Sequence, residues 1–575
     1  MLRRIFSYMK EYKKYAWLAL ICIGVEVVLE IMVPKLMADL IDIGVTNSDV
    51  PYIINKGIQM AVCAVAALIL GVGSARFSAL AGQGLGANIR KAEYEKLQSY
   101  SFSNIDHFSV SSLVTRLTSD VTNIQNAVST GMRPFGRSPV MLIFATTLAF
   151  QINSTLALVF LVALPVLAVL LIIIIINVGP RYGRMQGAVD LVNRCIEENL
   201  TAVRVVKSYV RGDYEIEKFR NVNDNLKNES EKAFGIAVLN MPAMQFVMYS
   251  TILGILLIGG RLINSGQMMI GQLTSFLSYV LLILNSLMMM SNVFLLMTRS
   301  LASAERIMKV IDEPIDITDE NAKDIEVKKG EIEFNHVWFK YKDTAKEYVL
   351  SDVSFHINAG QTVGIIGQTG SSKTTLIQLI PRLYDASKGE IKIDGINVKE
   401  YPVRHLRDAI SVVLQKNTLF SGSLIDNLRW GDENATLDEI KEACSIACVD
   451  EFIDRLPGGF DAEMGQEGVN VSGGQKQRIC IARAILKKPK VLILDDSTSA
   501  VDTATEGKIR NALAKKLPDM TKIIIAQRIS SVCHADQIII MDGGRVDAIG
   551  THESLLRTNK IYQEIYESQK EGADL

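Results

Sequence analysis

A glycine-rich stretch at residues 364–375, GIIGQTGSSKTT, carries the clearest chemical signal in the sequence. It follows an apolar, strand-like run and precedes a helix-like one, so several backbone N–H groups and the positive end of a helix converge on one point. This arrangement suits a polyphosphate, with Lys373 reaching the β- and γ-phosphates and the Thr374 hydroxyl ligating Mg²⁺. One fixed position of the pattern G-x-x-x-x-G-K-[ST] is not met, because Ser372 stands where the last glycine belongs. The predicted phosphate-binding residues are Gly367, Gln368, Thr369, Gly370, Ser371, Ser372, Lys373, Thr374 and Thr375.

Two further motifs lie towards the C-terminus. Residues 491–496, VLILDD, form a predicted buried strand that ends in two carboxylates. An aspartate at such a strand end can hold Mg²⁺ beside a phosphate-binding loop, so Asp495 is a predicted metal ligand. Before this strand, small residues open a helix at Lys476, which predicts a second anion-binding helix N-terminus. The residues of this turn are Val471, Ser472, Gly473, Gly474 and Gln475.

The apolar residues are concentrated in the N-terminal half of the 575-residue chain. The formal net charge of −1 gives no indication of nucleic-acid binding. Six apolar stretches are long enough to span a bilayer, which takes about 20 residues. They lie at 15–37, 58–81, 136–153, 156–178, 236–263 and 273–297. We therefore predict an α-helical six-span transmembrane domain with an N-terminal interfacial helix (1–302), a linker (303–330) and a soluble α/β domain (331–575).

The loops between the predicted spans indicate how the domain is oriented. The two long loops, 83–135 and 180–235, are rich in lysine and arginine, whereas the loop at 38–55 has neither. The positive-inside rule then places both termini and both long loops in the cytoplasm. Each long loop contains a short element, at 104–112 and at 208–219, that is either a docking element for another domain or a plain turn.

Two acidic residues, Glu26 and Glu30, lie one helical turn apart inside the first predicted span. Ionisable groups at that depth usually face a cavity or a partner rather than lipid. Their pattern fits a structural hydrogen-bonding pair or a position near the outer water boundary, with a contact for a cationic substrate as the alternative.

The order of the three motifs resembles the nucleotide-binding domain of an ATP-binding cassette (ABC) transporter, whose signature sequence is S-G-G-Q. Six spans followed by one such α/β P-loop domain resemble an ABC exporter half-transporter. This resemblance implies a dimer in which each ATP, bound with Mg²⁺, lies between the P-loop of one chain and the signature of the other. It also implies that Tyr341 stacks on adenine and that Gln415 links Mg²⁺ to the membrane helices. The D-loop of the family corresponds to Ser499, Ala500, Val501 and Asp502.

Three positions depart from the family pattern. The family places a glutamate, the general base, after the metal-binding aspartate, whereas this chain has Asp496. The family's switch histidine is replaced by Gln527, which can hydrogen-bond the γ-phosphate but cannot carry a positive charge. The third departure is Ser372. Binding residues are retained and hydrolytic residues are altered, which resembles the degenerate-site subunit of a heterodimeric bacterial multidrug ABC exporter.

We expect, on this resemblance, a cytoplasmic-membrane exporter of small amphiphilic molecules, drug-like or lipid. Its partner would be a second half-transporter with a glutamate-containing site, and its own ATP site would hydrolyse slowly. The alternatives are a lipid flippase, a homodimeric exporter with two weak sites, and a non-transporting ATP-gated membrane switch.

Overall fold

The computed structural model describes residues 2–320, 322–342, 344–496 and 501–571. The chain divides into two compact units. The membrane unit comprises Met1–Lys96 and Ser111–Asp312, and the nucleotide unit comprises Leu97–Val110 and Glu313–Leu575.

Helices make up the chain as far as Asp312. They are α1 (Leu2–Ser7), α2 (Lys13–Asp39), α3 (Val50–Gln98), α4 (Phe102–Asp106), α5 (Val110–Thr115), α6 (Val121–Ser129), α7 (Met132–Ile152), α8 (Ser154–Thr201), α9 (Val203–Ser208), α10 (Gly212–Ala237), α11 (Asn240–Asn264) and α12 (Ile270–Asp312). The six predicted spans fall, in order, on α2, α3, α7, α8, α11 and α12, which agrees with the predicted helical membrane domain.

Hydropathy supports this assignment. In the part of the chain that is described, four helical segments have the length and composition needed to cross a membrane: Lys10–Val45, Val50–Gln98, Val110–Ile152 and Gly212–Asn264. Helix α3 has 49 residues and α8 has 48. At 1.5 Å per residue each is more than twice as long as the ~30 Å hydrocarbon layer is thick. Both therefore continue well beyond the membrane as helices.

The predicted linker, 303–330, differs from the structure in its first part. Helix α12 continues to Asp312, and Ala304, Ile307 and Met308 are buried in an apolar cluster of the membrane unit. In the sequence, the charged residues between these three apolar residues obscure their helical spacing. The predicted interfacial face of α1 is likewise partly covered, since Ile5 belongs to the same cluster.

The nucleotide unit contains two main sheets. The strands of this unit are β1 (Ile332–Phe339), β2 (Leu350–Ile357), β3 (Thr362–Ile366), β4 (Lys388–Ile393), β5 (Ile396–Asn397), β6 (Ile410–Val413), β7 (Gly422–Ser423), β8 (Glu463–Met464), β9 (Val491–Asp495), β10 (Thr521–Ile525), β11 (Gln537–Asp542) and β12 (Arg545–Gly550). The strand orders of the two main sheets are β2-β1-β4-β5 and β12-β11-β3-β10-β9-β6. The helices are α13 (Lys373–Leu379), α14 (Val403–Asp408), α15 (Leu424–Arg429), α16 (Leu437–Ile446), α17 (Asp450–Ile453), α18 (Gly473–Leu486), α19 (Thr503–Lys516), α20 (Ile529–Val532), α21 (His552–Thr558) and α22 (Lys560–Glu571).

The central strands of the six-stranded sheet are buried on both faces. In β9, Val491 and Ile493 belong to one apolar cluster while Leu492 and Leu494 belong to another. Because successive side chains of a strand point to opposite faces, a doubly covered strand is apolar throughout. Burial on both faces therefore fixes the positions of the strand ends.

The short helix α4 packs within the nucleotide unit. Ser101 caps it, because the backbone N–H of Asn104 donates to Ser101 Oγ (3.1 Å). The buried Asn104 side chain donates through Nδ2 to the carbonyl of Pro314 (2.7 Å), and the Tyr384 hydroxyl donates to Asp106 Oδ2 (2.7 Å). Burial and the Asp106 carboxylate raise the pKa of Tyr384. The first predicted loop element is therefore a docked helix.

The second predicted loop element, 208–219, lies at the end of α9 and the start of α10 in the membrane unit. Tyr209 is 75% exposed and Val210 is 87% exposed. These two side chains form an uncovered apolar tip.

We predict that Asn104→Ala loosens the docked segment 97–110. The change removes the Pro314 hydrogen bond and half of the capping pair, and leaving such buried groups unpaired costs about 1–3 kcal/mol. Amide hydrogen exchange of the full-length chain should accelerate in 97–110. Asn511→Ala, at an exposed position on α19, is the matched control. Equal exchange in both variants would show that Asn104 does not hold this segment.

Candidate nucleotide-binding site

Three parallel strands, β3, β10 and β9, bring the predicted site together. In their register Ile365 lies beside Ile525, and Ile525 lies beside Asp495. The carboxyl ends of the three strands therefore meet at one edge of the sheet. The phosphate-binding loop, Gln527 and the two aspartates all follow these ends.

The loop at this edge holds its lysine inward. Lys373 Nζ donates to the carbonyls of Gly367 (2.8 Å) and Gln368 (2.9 Å) and to Ser371 Oγ (3.2 Å). Burial lowers the pKa of Lys373, and the neighbouring aspartates oppose that shift. Gln368, Thr369 and Gly370 form the exposed tip of the loop, whereas Gly367, Ser371 and Thr375 are buried.

The substituted position Ser372 has a left-handed backbone, with φ 70° and ψ 22°. Gly370 is also left-handed, with φ 87°. A side chain in this conformation costs about 1–2 kcal/mol, which glycine avoids. A glycine would therefore adopt this backbone conformation at position 372 without strain. Ser372 adopts the same conformation at a cost in conformational free energy.

The buried carboxylate of Asp495 has the features of a metal ligand. Thr374 Oγ1 donates to Asp495 Oδ1 (3.2 Å), while Oδ2 is buried without a hydrogen-bond partner among the described residues. Burial, together with the nearby Asp496, raises the pKa of Asp495. A cation would satisfy the unpaired oxygen, and hydroxyl and carboxylate oxygens are the ligands that Mg²⁺ prefers. Gln415 is exposed two residues beyond β6, the strand next to β9, and can offer an amide oxygen at the same edge.

Asp496 occupies the predicted general-base position with a side chain shorter than that of glutamate. Its carboxylate accepts a hydrogen bond. Gln527 Nε2 donates to Asp496 Oδ2 (2.9 Å), and Gln477 Nε2 donates to the Asp496 carbonyl (3.3 Å). Burial raises the pKa of Asp496. The Gln527 carbonyl in turn accepts from Gln569 (2.7 Å). The sequence analysis missed Gln477 and Gln569; Gln477 is two positions beyond the signature, and no motif marks Gln569.

Tyr341 lies beside the phosphate-binding loop. Its hydroxyl is 2.9 Å from Thr375 Oγ1, and its ring packs edge-on against Phe339 and Tyr384. The ring is 42% exposed, so a flat ligand can stack on its open face.

The signature residues form a separate exposed helix start. Ser472 caps α18, with its Oγ accepting from the Gln475 N–H (3.3 Å) and its own N–H donating to Gln475 Oε1 (2.9 Å). Ser472 and Gly473 are exposed, Gly474 is half-buried and Val471 is buried. Among the described residues no hydrogen bond joins this turn to the phosphate-binding loop.

The D-loop is described in part. Asp502 caps α19 by accepting from the Thr505 N–H (2.9 Å), and this bond lowers the pKa of Asp502. Val501 is buried. Ser499 and Ala500 lie outside the described residues.

Comparison with known proteins places this site in a family. The family model "ABC transporter transmembrane region" matches residues 16–287, and the model "ABC transporter" matches residues 350–499. The chain is 37% identical to the uncharacterized ABC transporter ATP-binding protein YfiB of Bacillus subtilis over 575 residues, 100% of both chains. This chain belongs to the ABC transporter family. ATPase-coupled transport is therefore its general activity, and the predicted fold class is confirmed.

Two further comparisons concern the exporter branch of this family. An ATP-dependent lipid A-core flippase of Pseudomonas putida is 32% identical over 576 residues, covering 98% of this chain and 95% of the flippase. A solved bacterial Atm1-family ABC exporter with ATP bound superposes with a TM-score of 0.83, covering 97% of this chain and 99% of that one at 22% identity. The second likeness concerns the fold.

We predict that Ser372→Gly leaves the full-length protein at least as stable as the parent. Relief of the left-handed cost, ~1–2 kcal/mol, outweighs the ~0.5–1 kcal/mol that glycine adds to the entropy lost on folding. Gly370→Ala should lower the thermal midpoint, because it places a side chain in a left-handed turn. Thermal unfolding in detergent measures both. A lower midpoint for Ser372→Gly than for Gly370→Ala would contradict the strain at position 372.

Proposed function

We propose that this chain is one half of a heterodimeric exporter of small amphiphilic molecules, and that its own ATP site binds ATP and hydrolyses it slowly. The chain would lie in the cytoplasmic membrane with both termini in the cytoplasm. ATP binding would close the paired nucleotide-binding domains and turn the membrane helices outward. Hydrolysis at the second, glutamate-containing site would then reset them.

The observation that carries this proposal is the Asp496–Gln527 hydrogen bond of 2.9 Å. An aspartate is one C–C bond shorter than a glutamate, ~1.5 Å. A misplacement of ~1 Å can cost about 100-fold in rate, and general-base catalysis as a whole is worth ~10²–10⁴-fold. The carboxylate of Asp496 would therefore lie farther from the attacking water than the carboxylate of a glutamate. It is also hydrogen-bonded to Gln527, the residue at the switch position. Gln527 cannot supply the positive charge of a histidine.

The binding residues of the same site are retained. Lys373 can exchange its bonds to loop carbonyls for bonds to phosphate oxygens, since its pocket lies at the start of α13. Thr374, Asp495 and Gln415 would hold Mg²⁺, which when bound neutralises phosphate charge. Tyr341 offers its open ring face to adenine. A site with these groups and a weak base holds ATP for long periods.

The exposed signature turn supports the need for a partner chain. Ser472 and Gly473 lie at the uncovered N-terminus of a 14-residue helix, where a phosphate of the partner's ATP can bind. The uncovered tip at Tyr209 and Val210 offers a second surface for the partner.

Lipid translocation is a second candidate function. The lipid A-core flippase named above is similar to this chain over nearly its whole length, and long apolar helices suit a lipid substrate as well as a drug-like one. A homodimer with two weak sites and an ATP-gated membrane switch remain competing interpretations. Substrate-stimulated ATPase activity of the co-purified pair, absent from this chain alone, distinguishes the exporter from both.

We predict that Ser472→Ala or Gly473→Asp in this chain nearly abolishes ATP hydrolysis by the pair. Ser472 would lose a hydrogen bond to the partner's ATP, and an aspartate at 473 would add a negative charge facing the phosphates. Ser423→Ala is the matched control, because Ser423 caps α15 through the same kind of capping box. Steady-state hydrolysis is measured with dimer assembly checked separately.

We predict the opposite for this chain's own site: Asp496→Glu should raise turnover little, because Gln527 remains. If the signature variants hydrolyse ATP normally while Asp496→Glu accelerates hydrolysis many-fold, the two sites are assigned the wrong way round. If Ser423→Ala is as harmful as Ser472→Ala, the effect comes from helix capping.

A further inference from the structure

Four charged side chains meet between two helices of the membrane unit. Glu26 and Glu30 come from α2, and Arg133 and Arg137 come from α7. Glu26 Oε1 lies 2.6 Å from Arg133 Nη2 and 3.4 Å from Arg137 Nη1, and Glu30 Oε2 lies 2.6 Å from Arg137 Nη2. The four groups form a continuous chain of ion pairs with no net charge.

This pairing bears on two of the interpretations that the sequence left open, the contact for a cation and the structural pair. Glu26 is 3% exposed and Arg137 is paired with both glutamates. A site for a cation without an accompanying anion would need negative charge in excess, whereas this cluster is neutral overall. Each glutamate has an arginine partner, so the two carboxylates belong to a structural ion-pair cluster.

A cavity of about 760 Å³ opens beside this cluster. Glu26, Glu30 and Arg133 form its polar end. Its remaining wall is mostly apolar and includes Leu68, Val72, Leu281 and Leu282. The cavity therefore combines a charged part of its lining with a larger apolar part, which suits a charged head group with an apolar tail.

Gly71 of α3 keeps the polar end open. A Cβ at this position would lie 3.1 Å from Glu26 Oε1 and 3.2 Å from Arg133 Nη2. Both contacts are tight, so a larger residue would crowd the ion pair. The missing side chain at Gly71 thus lets α3 approach the ion pair closely, and Glu26, Glu30 and Arg133 still line the cavity.

Three groups of the cluster retain bonding capacity. Glu26 Oε2 and Glu30 Oε2 are buried without a hydrogen-bond partner among the described residues, although Glu30 Oε2 is ion-paired with Arg137, so both can accept from a donor. The Arg133 side chain is 39% exposed and donates to Glu26 through Nη2, so the rest of its guanidinium can donate to an anion. A ligand that pairs with the carboxylate oxygens and with the Arg133 guanidinium must carry a cationic hydrogen-bond donor close to an anionic group.

We propose that this cavity binds the head group of a zwitterionic amphiphile, with a primary ammonium facing Glu26 and Glu30 and an anionic group facing Arg133. A net-charged ligand would leave unbalanced charge in a low-dielectric cavity, which is costly, whereas a zwitterion preserves neutrality. The apolar tail would lie along α3 and α12. This assignment names a substrate class for the exporter proposed above and rests on that function for its biological meaning.

The test compares three probes with one tail: dodecylphosphoethanolamine, dodecylamine and dodecyl phosphate. Binding to the full-length chain in dodecyl maltoside, without nucleotide, is measured by titration calorimetry. The zwitterion should bind at least ~10-fold tighter than either charged probe, because each charged probe lacks one of the two charge-assisted hydrogen bonds. Equal or tighter binding of dodecylamine or dodecyl phosphate, or no binding of the zwitterion, overturns the proposal without any variant.

Two charge-neutralising variants sharpen the result. Glu26→Gln leaves a net positive cluster, so the zwitterion should weaken ~10-fold and dodecyl phosphate should bind tighter. Arg133→Gln leaves a net negative cluster, so dodecylamine should bind tighter. Glu95→Gln, in an exposed pair with Lys91, is the control and should change none of the three affinities. If both cavity variants weaken all probes alike, the cluster is structural and the proposal fails.

These measurements require no ATP hydrolysis. Failure here leaves the proposed division between slow and fast ATP sites unaffected, and failure of the signature experiment leaves the ranking of probes unaffected.

Discussion

The shared register of β3, β10 and β9 is the constraint on which the nucleotide site depends. Each strand carries a different part of the chemistry at its carboxyl end. A shift of one residue along a strand moves a side chain by about 3.3 Å and turns it to the opposite face. Such a shift in β9 would remove Asp495 from Thr374. Burial on both faces prevents it, because every apolar residue of β9 is packed in one of two clusters.

The same rigidity makes the altered residues matter. Asp496 directly follows β9, and its carboxylate accepts a hydrogen bond from Gln527. Under the proposed function, this site would bind ATP but hydrolyse it slowly. The membrane unit follows a related rule: the buried charge of Glu26 is tolerated because Arg133 and Arg137 neutralise it within the protein.

The sequence predicted the parts of this protein that have local patterns. The phosphate-binding loop, the acidic strand and the membrane helices each have a spacing that a single stretch of chain displays. Other features depend on partners far away in sequence. The arginines that pair with Glu26, the docking of Asp106 against Tyr384 and the bond from Gln569 to Gln527 have no local signal. The helical course of 303–312 was hidden because charged residues interrupt its apolar spacing.

The most direct test of the account is the identity of the nucleotide held at this chain's own site. The pair formed with a glutamate-containing half-transporter is allowed to turn over labelled ATP, and bound nucleotide is then recovered from each site separately. The account predicts intact ATP at the site built on Lys373 and Asp495, persisting over many turnovers of the other site. Recovery of ADP from both sites at equal rates would contradict it.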